Sequence, residues 1–174
     1  MGDRDLELLE FHKVRQILAG FTSLSASRDL VLNLIPLLNE EEVRLRLNQS
    51  AEARRLLSLS PDTHIGEVVD IREMVKMAAL GKVLPPQSLL EIQTTLSAAH
   101  RLKSHLTNLS RELPLLSGMA KDIVALDQLV KDIDGCLSPT GELLDTASPR
   151  LASVRQRTRE VRQELLTHLQ AIIT

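Results

Sequence analysis

The residues best suited to chemistry are Arg150, Arg155, Arg157, Arg159 and Arg162, a basic run diluted only by Glu160. On a helix, Arg155, Arg159 and Arg162 fall on one side, at i, i+4 and i+7. Such a row of guanidiniums can contact the phosphates of DNA or ribosomal RNA. The plainer account, the solvated flank of a coiled coil, explains the same spacing and is favoured. Arg101, Lys103 and Arg111 are more scattered and add little.

Other constellations point away from catalysis. His100 and His105 are five apart, so on a helix they diverge by about 140° and cannot share an ion as an i, i+4 pair does. Cys136 is the single cysteine, which excludes an internal disulfide and a cysteine-rich zinc site and fits a reducing, cytoplasmic setting. Glu40-Glu41-Glu42 and Asp132 with Asp134 resemble acid–base pairs or magnesium ligands. Their places at helix ends explain them as caps and dipole partners instead. The phosphate-binding pattern Gly-x-x-x-x-Gly-Lys-Ser/Thr does not occur. No catalytic, cofactor-binding or metal-ligating residue is assigned in this chain.

The elements that must carry these residues are helical. The chain has 174 residues, of which 43% are hydrophobic, enough for a buried core in one domain with or without an extended arm. Leucine dominates, and the only aromatics are Phe11, read as a core residue, and Phe21. That composition suits helix packing and predicts an all-α fold with an irregular multi-helix core. The net charge is −2, from 21 basic and 23 acidic residues. An autonomous nucleic-acid binder usually shows a basic excess, and the aromatic platforms for stacking bases are missing. The N-terminus has no basic-then-apolar signal sequence, and no apolar run approaches the roughly 20 residues that span a bilayer. A soluble protein with no membrane partner is expected.

Periodicity predicts a first helix over Leu8–Ala19, with Leu9, Val14, Ile17 and Leu18 inward and Gly20 as the stop. A second carries Leu30, Val31, Leu34 and Ile35 up to Pro36. Asn39, three before Glu42, makes a capping box for a long helix to about Leu57. Its inward face is read as Val43, Leu47, Ala51, Ala53, Leu56 and Leu57. Ser60-Pro61-Asp62 opens a loop to about Val69, and Asp70 with Glu73 caps a short helix ending near Gly81. Pro85-Pro86 starts the longest internal helix, to about Ser110, with Leu89, Ile92, Leu96, Ala99, Leu102, Leu106 and Leu109 in its stripe. Leu113-Pro114 and Ser117-Gly118 read as a turn. Ile123, Leu126, Leu129, Val130 and Ile133 belong to a further helix. Between Gly135 and Ala147 the period lapses, which predicts a small β-hairpin or bulged turn.

Ser148-Pro149 then starts a terminal helix, serine at the cap and proline at the first position. It is about 40 Å long if continuous. Leu151, Val154, Val161, Leu165, Leu169 and Ile172 form a seam on it, with Thr158 and His168 as polar members. This stripe is the candidate coiled-coil interface. It reaches Thr174 without a stop signal, which predicts a chain cut inside a long helix.

Taken in order, these residues resemble one family. Leu9-Glu10-Phe11-x-Lys13-Val14, Asp70-Ile71-Arg72 and Gly81-x-Val83-Leu84 precede Gly141-Glu142-Leu143-Leu144-Asp145-Thr146-Ala147-Ser148-Pro149 and the arginine-rich helix. The pattern is similar to the N-terminal region of the type-two branch of bacterial MutS proteins, which carry a C-terminal Smr endonuclease domain. The Phe-x-Glu wedge of the mismatch-sensing branch is absent, since Phe11 is followed by His12-Lys13. The resemblance implies that residues 1–147 are the helical core. Residues 148–174 would be the first arm of a lever leading to a clamp. The clamp, ATPase and nuclease would lie beyond Thr174, with ATP and magnesium bound only in the missing ATPase. It also implies a full-length homodimer that acts on branched DNA to suppress recombination, or on collided ribosomes. The partners of this chain would be the missing ATPase and clamp segments of the same protein, and DNA or the ribosome through that protein. Two readings compete with the non-catalytic core and lever. One is a stand-alone helical adaptor that binds a protein through the terminal coiled-coil face. The other is an autonomous nucleic-acid binder using the arginine run.

Overall fold

The structure, a computed structural model, describes residues 3–61 and 68–173. Among these residues the chain is helical, with α1 (Asp3–Leu8), α2 (Phe11–Ala19), α3 (Ser25–Leu32), α4 (Glu40–Leu59) and α5 (Arg72–Ala79) in its first half. The second half holds α6 (Pro86–Asn108), α7 (Pro114–Ala120), α8 (Asp127–Cys136), a 3-10 turn (Asp145–Ala147) and α9 (Pro149–Ile173). The all-α expectation holds. Residues 62–67 of the expected loop before Val69 lie outside the described residues.

The expected first helix begins three residues later, as α2, and a short helix, α1, precedes it. The break between them is at Glu10, whose backbone is left-handed (φ 51°), and α1 contacts α2. The inward assignment on α2 is also corrected: Leu9, Val14, Ile17 and Leu18 are all exposed. What α2 turns inward is buried Ala19, with Phe11 and Arg15 half-buried and the Arg15 guanidinium 5.1 Å from the Phe11 ring centre. A small residue allows the close approach of α2 and α3, and the larger apolar residues are left outside. On α3 and after it, Leu30, Leu34 and Ile35 are likewise exposed.

Polar contacts position α3 and α5. Ser25 donates to Asp70 at 2.6 Å, while Arg72 reaches both Asp70 (Nε, 2.8 Å) and Asp29 (Nη2, 3.0 Å). Hydrogen bonds from Arg72 and then Ser25 hold the Asp70 carboxyl well below the usual carboxylate range. Asp70 also accepts from the Arg72 backbone N–H at 3.2 Å, but α5 starts one residue later than expected, with Ile71 at the cap position and no side-chain cap there.

Asn39 caps α4 as its sequence predicts, its side chain accepting from the Glu42 N–H at 3.1 Å. The expected inner face of α4 is only partly buried, since Leu47, Ala51 and Leu57 are exposed. The contact that anchors α4 is polar. Glu52 accepts from the backbone N–H groups of Leu115 (3.2 Å) and Leu116 (2.9 Å), capping the start of α7. That start is Pro114, so the expected turn at Leu113–Gly118 is a helix with proline in its first turn. Glu52→Ala is expected to cost about 1 kcal/mol, the usual value of a lost N-terminal cap, and Glu52→Gln, which keeps one acceptor, less. Urea titration of both variants checks the order.

The core is built on α6. Ile92 packs with Ile133 of α8 and Leu137 just after it, and Ile71, Met74, Leu84, Leu89 and Leu96 close around them. Further along, Ala98 and Leu106 are buried, α7 packs beside α6, and Leu113 is fully enclosed. Gln93 donates to Asp134 at 2.7 Å and Lys103 donates to the Ile123 carbonyl at 2.6 Å. Those two contacts fix α8 and the linker before it. Ile123 and Leu126, expected inside a helix, precede α8.

Candidate functional site

The expected β-hairpin is not formed. Among the described residues there is no strand, and the segment after α8 keeps one isolated antiparallel bridge, Leu137 with Leu143. The physical reason is the tightness of the turn. Gly141 adopts φ 83°, a conformation glycine takes without strain. Ser138 donates its N–H to the Glu142 carbonyl at 2.8 Å and accepts from the Glu142 N–H on its hydroxyl at 3.1 Å. Leu144 N–H reaches the Cys136 carbonyl at 2.9 Å, and the Thr146 hydroxyl reaches the Gly135 carbonyl at 2.7 Å. The loop is therefore stitched to the end of α8.

From this loop rises α9. Ser148 accepts from the Leu151 N–H at 3.1 Å with Pro149 in the first turn, the start its sequence predicts. Leu151 and Ala152 are half-buried, but every residue from 156 to 170 is exposed. Among the described residues, the main packing of α9 is on the 3-10 turn. It is a cantilever of 25 residues held at its base.

The arginine run divides there. Arg155 donates to Asp145 at 2.6 Å and to the Leu143 carbonyl at 2.9 Å, and Arg159 lies 3.5 Å from the other Asp145 oxygen. Arg157 pairs with Glu160 at 3.3 Å. Arg162 makes no ion pair among the described residues and lines a shallow trough with Val154, Arg157, Thr158, Val161 and Leu165. Two of the three aligned arginines thus converge on one carboxylate, and the third does not. Of the seam residues, Leu151 is half-buried and Val154, Val161, Leu165 and Leu169 are exposed. The Ile172 side chain lies outside the described residues. Asp145 was missed by helical periodicity because it precedes the cap and meets Arg155 from ten residues away.

The hydrogen bond from Arg155, reinforced by the charges of Arg155 and Arg159, holds the Asp145 carboxyl below the ordinary range against the opposing effect of desolvation. A depressed folded value means that this pair stabilises fully above the unfolded carboxylate pKa of about 3.9 and is lost as pH falls through the lower folded value. The Asp145 side-chain carbon resonance is expected to titrate below the ordinary aspartate value. A midpoint at or above about 3.9 would mean that the pair is not formed.

Elsewhere, His100 and His105 do not converge; His100 Nδ1 faces Asp127 at 3.1 Å across the α6–α8 groove. Among the described residues no group of three or more His, Cys, Asp or Glu is placed to hold a metal ion. Nor is any helix there long and apolar enough to cross a membrane.

These features define a helical module with a long helix fixed at its base and solvent-exposed for most of its length. No family model matches the chain. It is similar to the Endonuclease MutS2 of Pelotomaculum thermopropionicum, 32% identical over 173 residues, or 99% of this chain and 22% of that relative. Endonuclease MutS2 of a Geobacillus species is 35% identical over 176 residues, with 99% and 22% covered. That of Bacillus cereus strain Q1 is 32% identical over 173 residues, with 98% and 22% covered. The chain spans about a fifth of the length of the curated relatives it matches. It is related to the MutS2 endonucleases along nearly all of its own length.

Proposed function

We propose that this chain is the non-catalytic core and lever portion of a MutS-type protein that processes nucleic acid. In this reading residues 1–147 form the core and residues 148–174 the first arm of the lever. An ATPase binding ATP and magnesium, a clamp and a nuclease lie elsewhere in the parent, which works as a homodimer. Arg155 and Arg159, seated on Asp145, transmit movement of the core to α9, whose tip swings furthest because the helix is stiff and anchored at one end. The parent's target is DNA, where it would restrain recombination at branched structures, or the collided ribosome.

The observation that carries this reading is the cantilever. A helix locked at its root and bare beyond it is built to transmit position, and similarity to the MutS2 endonucleases supplies the context. The test uses the full-length parent with spin labels on Glu142 and on a clamp residue. ATP is expected to shift the distance between them. A distance that ignores nucleotide would count against the lever.

A second reading, a helical adaptor, is favoured by one observation, the exposed row Val154, Val161, Leu165 and Leu169. It requires a separate protein to seat on α9. In the lever reading the seat is taken by another segment of the same chain, so a crosslink from Leu165 in the full-length protein separates the two.

A further inference from the structure

The Asp145 carboxylate occupies the place between Arg155 and Arg159 that a phosphate oxygen would take. Its oxygens lie 2.6 Å from Arg155 Nη1 and 3.5 Å from Arg159 Nη2, and guanidiniums bind carboxylate and phosphate through the same geometry. The pair is accessible: the Arg155 and Asp145 side chains are 42% and 43% exposed. An ion pair in such contact with water is weak and can be exchanged for another anion. Arg162 continues the row one turn further. From Arg155 to Arg162 the helix covers about 10 Å, a length over which duplex DNA presents about six phosphate charges. The site therefore has an occupied anion cradle at the base of α9 and an open cation beside it.

We propose that Asp145 is an internal stand-in for phosphate, and that the phosphodiester backbone of a nucleic-acid duplex displaces it to bind Arg155, Arg159 and Arg162. Displacement removes the two ion pairs to Asp145 and leaves the Arg155 bond to the Leu143 carbonyl as the side-chain tie of α9 to the loop before it. Contact with nucleic acid at the lever's root then loosens the lever's base. Until the exchange occurs, Asp145 keeps the affinity of this face low. The inference rests on reading the parent as a nucleic-acid-processing protein, and it assigns this chain a contact of its own.

The test is fluorescence anisotropy of the 174-residue chain with a short labelled DNA duplex and an RNA duplex of the same sequence. Titrations run between about 50 and 200 mM salt. Asp145→Asn is expected to bind about tenfold tighter with a similar salt slope, because the same three arginines meet phosphate in both complexes and only the competing carboxylate is gone. Asp145→Ser, with a different side chain and the same charge change, should match it, so one poorly folded variant does not decide the outcome. Glu164→Gln adds the same charge without touching the cradle and should change neither quantity. Arg155→Gln with Arg159→Gln should cancel the gain in the Asp145→Asn background. A gain on DNA, on RNA or on both supports the exchange and identifies the backbone that makes it. Wild-type affinity in both Asp145 variants would overturn the proposal, as would an equal gain from Glu164→Gln. If the Asp145 variants show no gain but Arg155→Gln/Arg159→Gln/Arg162→Gln weakens the wild-type chain, the stand-in role alone fails. If that triple variant binds like wild type, the arginine face is not a nucleic-acid contact and both readings of it fail.

Discussion

Leu113→Ala is expected to destabilise the helical core by about 2–5 kcal/mol, the usual cost of a large-to-small change at an enclosed site. Leu113 is the largest fully buried side chain among the described residues, at 0% exposure. It sits where α6 ends and α7 begins, and its N–H returns to the Leu109 carbonyl at 2.8 Å. The neighbouring backbone is thus tied to α6 on one side and to Glu52 on the other, so the site can collapse only a little after truncation. Few other large side chains are enclosed, and the loss is a large share of the roughly 5–15 kcal/mol that holds a typical domain. Urea denaturation should show a lower midpoint with an unchanged slope. Leu113→Met, which conserves volume, should cost under about 1.5 kcal/mol. Leu126→Ala, at a site 45% exposed, should cost less than either. A wild-type midpoint for Leu113→Ala would show that α7 is not packed on α6 as described.

The sequence made local starts and stops readable, but much less of what each face meets. Asn39, Pro86 and Ser148 mark helix starts because capping is chemistry within one turn, and all three helices begin there. Gly20 and the punctuation near Gly81 end helices for the same reason. Faces depend on distant partners. The stripe on α2 correctly indicated an amphipathic helix, yet Ala19 is its buried residue while Ile17 is 67% exposed. Periodicity identifies an apolar side without saying whether this chain covers it. Pro114 was misleading because proline both breaks and begins helices, and the deciding group, Glu52, comes from α4. The loop before α9 lost its expected strands to a tight turn at Gly141, which leaves a single bridge between Leu137 and Leu143. At the candidate site the row of arginines was legible, whereas its counter-ion was not. Asp145 reaches Arg155 across a helix cap, and no helical period connects those positions.

The apolar side of α9 leads to the second large effect. Among the described residues, Val154, Val161, Leu165 and Leu169 lie 47–57% exposed with no element of this chain over them. Concentrated solutions of the chain are expected to self-associate by pairing this side with its copy, Thr158 and His168 being polar members of the seam. The size of the effect follows from area. Full burial of a leucine is worth about 1.5–3 kcal/mol, and roughly half of that remains to be gained at Leu165 and Leu169. A pair of helices buries four such side chains, or about 3–6 kcal/mol, so Leu165→Glu with Leu169→Glu should weaken association by about 10²- to 10⁴-fold. Sedimentation equilibrium across a wide concentration range reads this directly. The same variant should leave the urea midpoint of the monomer unchanged, because α9 contributes nothing to the core beyond its first two turns. That separation distinguishes an interface from a fold-stabilising face. A wild-type chain that stays monomeric at high concentration would show that α9 does not pair with itself. The adaptor and lever readings, each of which seats a different helix there, would then be tested by crosslinking from Leu165 alone.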